Sequence, residues 1–219
     1  YLTLAVKVTN ELSIQIFLSA KSMTDDELMI LIQSGEVDAF NTLVAKYQGM
    51  LIGFFMRNTR DIQFSEDLAQ ETLLKIYNQA WDYLPLGRFK GWMFRIARNL
   101  LIDNVRKRSH DALVQAAKGQ SREDDDAMAR ISEDILGPDE RVQIQEFTSL
   151  IDSLLAEIPE DQRQTFTLHH YGGLSLSEVG DIMDVPLATS KSRLRLAREK
   201  LAEKLSARGF KAPALANSE

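Results

Sequence analysis

Two clusters of basic residues have the types and spacing to hold nucleic acid. The later one contains Thr189, Lys191, Ser192, Arg193, Arg195 and Arg198, then Lys200, Lys204, Arg208 and Lys211, against only Glu199 and Glu203. Leu194, Ala197, Leu201 and Leu205 recur among them at helical spacing and read as a core-facing stripe. Lys191, Ser192 and Arg195 then fall on the open side near the helix start. An arginine there can bond a guanine edge bidentately, worth roughly 1–3 kcal/mol of discrimination. The remaining cations suit phosphates, which give affinity without sequence choice. The earlier cluster is Arg88, Lys90, Arg95, Arg98, Asn99, Arg106, Lys107 and Arg108, with Asp103 as its one acid and with Phe89, Trp92 and Phe94 interleaved. Aromatics beside cations can stack on unpaired bases while the cations follow the backbone. Phe94, Ile96, Leu100 and Leu101 are expected in the core, and Trp92 fits either a core anchor or a base-stacking role.

The elements that must position these residues are helical. Leu174 to Arg198 reads as a helix, a tight turn and a basic second helix, the unit whose second helix can enter a major groove. Upstream, Thr24-Asp25-Asp26-Glu27 is a helix start with acids in its first turn. Leu28, Leu31 and Ile32 share a face, as do Phe40, Leu43, Val44 and Tyr47. A third helix is expected with Ser65 as its N-cap and a stripe of Leu68, Thr72, Leu73, Ile76 and Tyr77. Leu84 to Arg88 is a loop marked by Pro85 and Gly87, and a long helix is expected from about Lys90 to Arg108. Asp111 to Glu140 is acidic and weakly patterned, a linker. Beyond it Phe147, Leu150, Ile151, Leu154 and Leu155 form an apolar face, Pro159 stops that helix, and another runs from Glu160 to Gly172-Gly173. The expectation is an all-α chain. A helical domain at 23–110 and a second at 141–208, carrying the helix-turn-helix, are joined by the acidic flexible linker 111–140. Residues 1–22 form an extension and 209–219 a tail.

Composition narrows the function. The chain has 219 residues, 44% of them hydrophobic, so a packed core is feasible. Its net charge of −6 excludes a uniformly basic coat, and DNA binding must come from local patches. There are no cysteines, which removes disulfides and thiolate chemistry and fits a reducing cytosol. No apolar run reaches bilayer length. The first stretch lacks a basic cluster ahead of its apolar residues and makes a poor signal peptide. Translation is expected to start at Met23.

At this point the residues resemble a known family. Asp67-Leu68-Ala69-Gln70-Glu71-Thr72, paired with Phe89-Lys90-Gly91-Trp92-Met93-Phe94-Arg95-Ile96-Ala97-Arg98-Asn99, is similar to the first main domain of bacterial extracytoplasmic-function (ECF) sigma factors. The helix-turn-helix ending Thr189-Ser190-Lys191-Ser192-Arg193-Leu194 is similar to their second. The resemblance implies a protein that binds core RNA polymerase, at the β′ clamp and the β flap, and directs it to promoter DNA. It implies that Asp67, Gln70, Glu71 and Leu74 dock on the clamp helices. The loop from Tyr83 to Lys90 would capture a flipped base of the −10 element. Arg88, Lys90, Trp92, Arg95, Arg98, Asn99, Arg106 and Lys107 would serve that element and its melted strand. Thr189, Lys191, Ser192, Arg193, Arg195 and Arg198 would face the −35 element. The acidic linker would thread toward the polymerase active site, and an anti-sigma protein is the expected regulator. The expected location is the cytoplasm.

This chain departs from the family pattern in its turn motif. Gly180 stands where Ala is usual, Asp184 and Ala188 where Gly is usual, Ser190 where Val is common, and Leu196 where Arg is frequent. These changes bear on the promoter sequence rather than on the class. A conventional regulator binding duplex DNA without polymerase would explain the C-terminal module but not the Asp67–Thr72 surface or the aromatic-basic helix. An enzyme is not expected. Adjacent His169 and His170 point about 100° apart on a helix, and Asp124-Asp125-Asp126 lacks the glycine and closing glutamate of a calcium loop. No metal or cofactor is expected.

Overall fold

Thr24 starts the first helix with a capping box. Its hydroxyl accepts from the Glu27 N–H at 3.3 Å, and the Glu27 carboxylate accepts the Thr24 N–H at 2.7 Å. The computed structural model describes residues 23–117 and 150–209. The extension, most of the linker, Phe147 and the tail beyond 209 lie outside the described residues. Within them the elements are helical throughout, as the sequence patterns require.

Helix α1 spans Asp25–Gln33, α2 Val37–Thr59 and α3 Ile62–Asn78. The cap of α3 differs from the sequence expectation. Arg60 ends α2 in the left-handed region, φ 62°, and Asp61 then accepts the Phe64 N–H at 2.9 Å. Ser65 lies one turn inside the helix, fully buried, with its hydroxyl donating to the Asp61 carbonyl at 2.6 Å. The Phe64 N–H, aided by the Arg108 guanidinium at 3.0 Å, holds the Asp61 carboxyl below its usual range. Leu68, Thr72, Leu73 and Ile76 face inward as expected, whereas Tyr77 is exposed at the rim and tilts against Phe40 at 4.9 Å.

A 3₁₀ turn, Ala80–Asp82, leads through the loop to α4, Phe89–Ala117. This helix begins where expected but runs past Arg108 into the segment read as linker. Leu43, Tyr47, Leu51, Phe55, Leu68, Ile76, Met93 and Phe94 fill the space among α2, α3 and α4, each at 2% exposure or less. Burial of such a side chain contributes roughly 1.5–3 kcal/mol.

The C-terminal module comprises helical residues 150–155, α5 Glu160–His170, α6 Leu176–Met183 and α7 Leu187–Ala207. Leu154, Leu155 and Ile158 pack with Ala197 and Leu201 as its own core. A second capping box, Ser175 with Glu178, starts α6. The two modules also meet. Leu168, Leu174, Val179, Ile182 and Met183 join the apolar cluster that contains Phe94 and Met93. Gly172 sits in this seam, where a Cβ would clash with the Leu168 carbonyl oxygen at 2.5 Å and crowd Phe94 Cε2 at 3.1 Å.

Candidate nucleic-acid interface

The basic helix α7 is aimed by a tight turn. Asp184 adopts φ 55°, a left-handed geometry that aspartate tolerates better than most residues, and the Val185 N–H closes on the Gly180 carbonyl at 3.0 Å. Gly180 is required by this closure. A Cβ there would lie 2.9 Å from the Val185 carbonyl oxygen and 3.2 Å from Ser190 Oγ. Leu194, Ala197 and Leu201 are buried, so Lys191, Ser192 and Arg195 stand on the solvent face, as their spacing implies. Arg195 makes one exposed pair, with Glu199 at 2.5 Å, of the kind worth under about 1 kcal/mol. Thr189 is half-buried beside them. Arg193 turns the other way, to the Asp161 carboxylate of α5 at 2.5 Å, and ties α7 to α5.

Arg198 donates to His170 Nε2 at 3.2 Å. The His170 side chain keeps an exposed edge, yet desolvation against its neighbours, with His169 and Arg198 adding to it, lowers its pKa to about 4, which keeps the ring a neutral acceptor. The lowered value stabilises the fold above the ordinary histidine pKa near 6.5, and that contribution is lost as pH falls toward 4. Tm is therefore expected to drop between pH 6.5 and 4, and His170→Gln is expected to flatten the slope; thermal melts across that range check it. Among the described residues no three His, Asp or Glu side chains converge on a metal site.

The second basic surface is divided. Arg88, Asn99, Arg106 and Lys107 are exposed, and Lys90 is half-buried. Arg95 and Arg98 reach the other module instead. Arg95 Nη2 donates to the Asp181 carbonyl at 3.1 Å. Arg98 Nε donates to Gln164 Oε1 at 3.1 Å and its Nη1 to the Ile182 carbonyl at 3.4 Å. The open carbonyls at the C-terminal end of α6 thus take cations from α4. Burial lowers the Arg98 pKa, against the raising effect of Asp161 and Glu160. Farther along the seam Arg57 donates to Asp152 at 2.9 Å and lies 3.7 Å over the Tyr171 ring.

Trp92 is half-buried and packs against the core from its edge, 5.1 Å from the Tyr83 ring and 6.1 Å from Phe89. The tryptophan left to solvent is Trp81, 76% exposed, which the sequence reading did not single out. Its signal is its place one turn past the exposed face of α3. On that face Asp67, Gln70, Glu71 and Leu74 line up at i, i+3, i+4 and i+7, all exposed, with Leu74 at 59%.

One chain therefore carries an exposed polar-apolar helix face, an aromatic-basic helix and a helix-turn-helix with a basic second helix. The comparisons identify the family. The model described as Sigma-70 region 2 matches residues 43–110, and that described as Sigma-70, region 4 matches 148–201. The chain is 31% identical to the RNA polymerase sigma-H factor of Pseudomonas aeruginosa, covering 80% of this chain and 90% of the relative. It is 30% identical to the ECF RNA polymerase sigma-E factor of Escherichia coli K12, covering 85% and 96%. Among solved structures, the sigma factor RpoE of Bartonella quintana, in complex with the anti-sigma factor NepR, superposes with a TM-score of 0.61 at 26% identity, covering 76% of this chain and 96% of that one. The CnrH structure, in complex with the cytosolic domain of CnrY, has the same fold at TM-score 0.59 and 21% identity, covering 84% and 97%. The chain belongs to the ECF group of the sigma-70 family of RNA polymerase sigma factors.

Proposed function

We propose that this chain binds core RNA polymerase and directs it to promoters as an ECF sigma factor, working in the cytoplasm under the control of an anti-sigma protein. The observation that carries the reading is the co-occurrence, in one chain of this family, of the exposed Asp67–Leu74 face with two separate nucleic-acid surfaces. The α3 face docks on the β′ clamp and the C-terminal module on the β flap. The loop 83–90 captures a −10 base, while Asn99, Arg106 and Lys107 hold the melted strand. Lys191, Ser192 and Arg195 read the −35 duplex, with Thr189 at the helix start. Arg95 and Arg98 join the melted strand after the modules separate, since their donors otherwise end on α6. Separation fits the energetics: melting costs stacking, and base and backbone contacts to the single strand offset a few kcal/mol per base, about the scale of the contacts exchanged. No helix among the described residues is long and apolar enough to cross a membrane.

The test is selection of promoter DNA by the full chain with bacterial core polymerase, beside the chain alone. Polymerase-dependent enrichment of paired −35 and −10 elements, with transcripts, is the expected result. Enrichment of a single duplex site without polymerase would replace this reading with that of a conventional regulator.

A further inference from the structure

We infer that Asp26 is a positioning residue for −10 recognition: its one carboxylate ties both ends of the loop 83–88 to α1 and so sets the shape in which the loop meets a base. The inference rests on the proposed role of that loop. One carboxylate oxygen accepts the Tyr83 hydroxyl, and the other accepts the Gly87 N–H at 2.7 Å. At the far end of α1, Gln33 Nε2 donates to the carbonyls of Ala80 at 2.8 Å and Tyr83 at 3.0 Å. Helix α1 thus grips the whole segment from the 3₁₀ turn to the start of α4. Between the grips the loop is tight and outward-facing. The Leu86 N–H bonds the Leu84 carbonyl at 2.9 Å, Gly87 takes φ 70°, and Leu84 and Leu86 are 69% and 70% exposed. The Tyr83 ring makes the floor, packed 5.8 Å from Phe89 and 5.1 Å from Trp92.

Both oxygens of Asp26 are engaged by the loop, so its role is to fix the loop rather than to touch DNA. Asp26, Gly87, Arg88 and Lys90 nonetheless line one cleft, which puts the brace and the basic side chains on the same opening. Burial and the Asp26 carboxylate push the Tyr83 hydroxyl above its ordinary pKa, so it remains a donor at physiological pH. A loop held in its binding shape loses less freedom when a base arrives, and a loop released from it samples shapes that discriminate poorly.

The experiment is selection on promoters randomised across the −10 element, with holoenzyme made from the full chain. Asp26→Ala is expected to cut selectivity at one −10 position by roughly fivefold or more, with core-polymerase affinity and −35 preference within about twofold of wild type. Asp26→Asn should restore most of the selectivity, because the amide can accept from Gly87 N–H and donate to the Tyr83 oxygen. Tyr83→Phe, which removes only the hydroxyl, should shift the same position as Asp26→Ala by less. A loop variant, Leu84→Ser with Leu86→Ser, reports on the loop itself. If the loop variant loses −10 selectivity and Asp26→Ala does not, the brace is refuted and the loop reading stands. If neither loses it, both fall. If Asp26→Ala loses polymerase affinity together with selectivity, its role is general folding and the positioning claim is overturned.

Discussion

Glu71→Lys is expected to lower affinity for core RNA polymerase by roughly ten- to a hundredfold, because a like-charge clash in an interface costs a few kcal/mol. Glu71 stands in the middle of the exposed α3 face, between Asp67 and Leu74, while the opposite face of the helix holds Leu68, Thr72 and Ile76 in the core. The reversal therefore leaves the packing of α3 intact and changes only what the helix presents. Titration of labelled chain with core polymerase measures the loss, and a thermal melt within about 1 °C of wild type shows that the fold is unaffected, as for other surface substitutions. Unchanged polymerase affinity would move the docking face elsewhere, with the exposed Trp81 and Tyr77 as the next surface to reverse.

The second large effect concerns the seam between the modules. Arg57→Ala removes the partner of Asp152 and the cation above Tyr171 in one step. Burial already raises the Asp152 pKa despite Arg57, so without the arginine a half-buried acid is left unpaired. Such a pair, between fully exposed and fully buried, is worth about 2 kcal/mol to break, and the stacked cation adds about 1 kcal/mol. The expected result is separation of the modules, read as a larger radius of gyration by small-angle scattering. It frees Arg95 and Arg98 from the α6 carbonyls, and holoenzyme assembly should speed up accordingly. Scattering identical to wild type would mean that the apolar seam of Phe94, Leu168 and Ile182 holds without Arg57.

Local features were legible in the sequence. Thr24 and Ser175 each precede a glutamate by three residues, and both form capping boxes. The Leu194–Ala197–Leu201 stripe gave the buried face of α7 and, by subtraction, the open position of Arg195. Where two local signals competed, the pattern alone was ambiguous. Asp61 and Ser65 are both good caps, and what decides between them is the burial of Phe64 and the Arg108 guanidinium stacked on its ring at 3.3 Å. Long-range contacts left no trace at all. Arg57 and Asp152 are far apart in the chain, as are Asp26 and Gly87 and as are Arg95 and Asp181, and a charge that will meet a backbone carbonyl looks in sequence like any solvated charge. That is why Arg95 and Arg98 read only as strand-holding residues, and why Asp26 read only as a first-turn acid.

The turn between α6 and α7 constrains how this recognition module can change over generations. Gly180, Asp184 and Ser190 look like three independent departures from the family pattern, yet the space at Gly180 is bounded by the Val185 carbonyl that Asp184 delivers and by the Ser190 hydroxyl. A methyl added at 180 first meets backbone, so it is tolerated only after the turn has moved. A bulkier residue at 190 presses on the same gap from the other side. The three positions therefore form one unit, and the effects of single substitutions within it are not expected to add. Lys191 and Arg195, which the proposed function places on promoter DNA, stand on the helix that this unit aims, so a change at any of the three positions re-aims both side chains together.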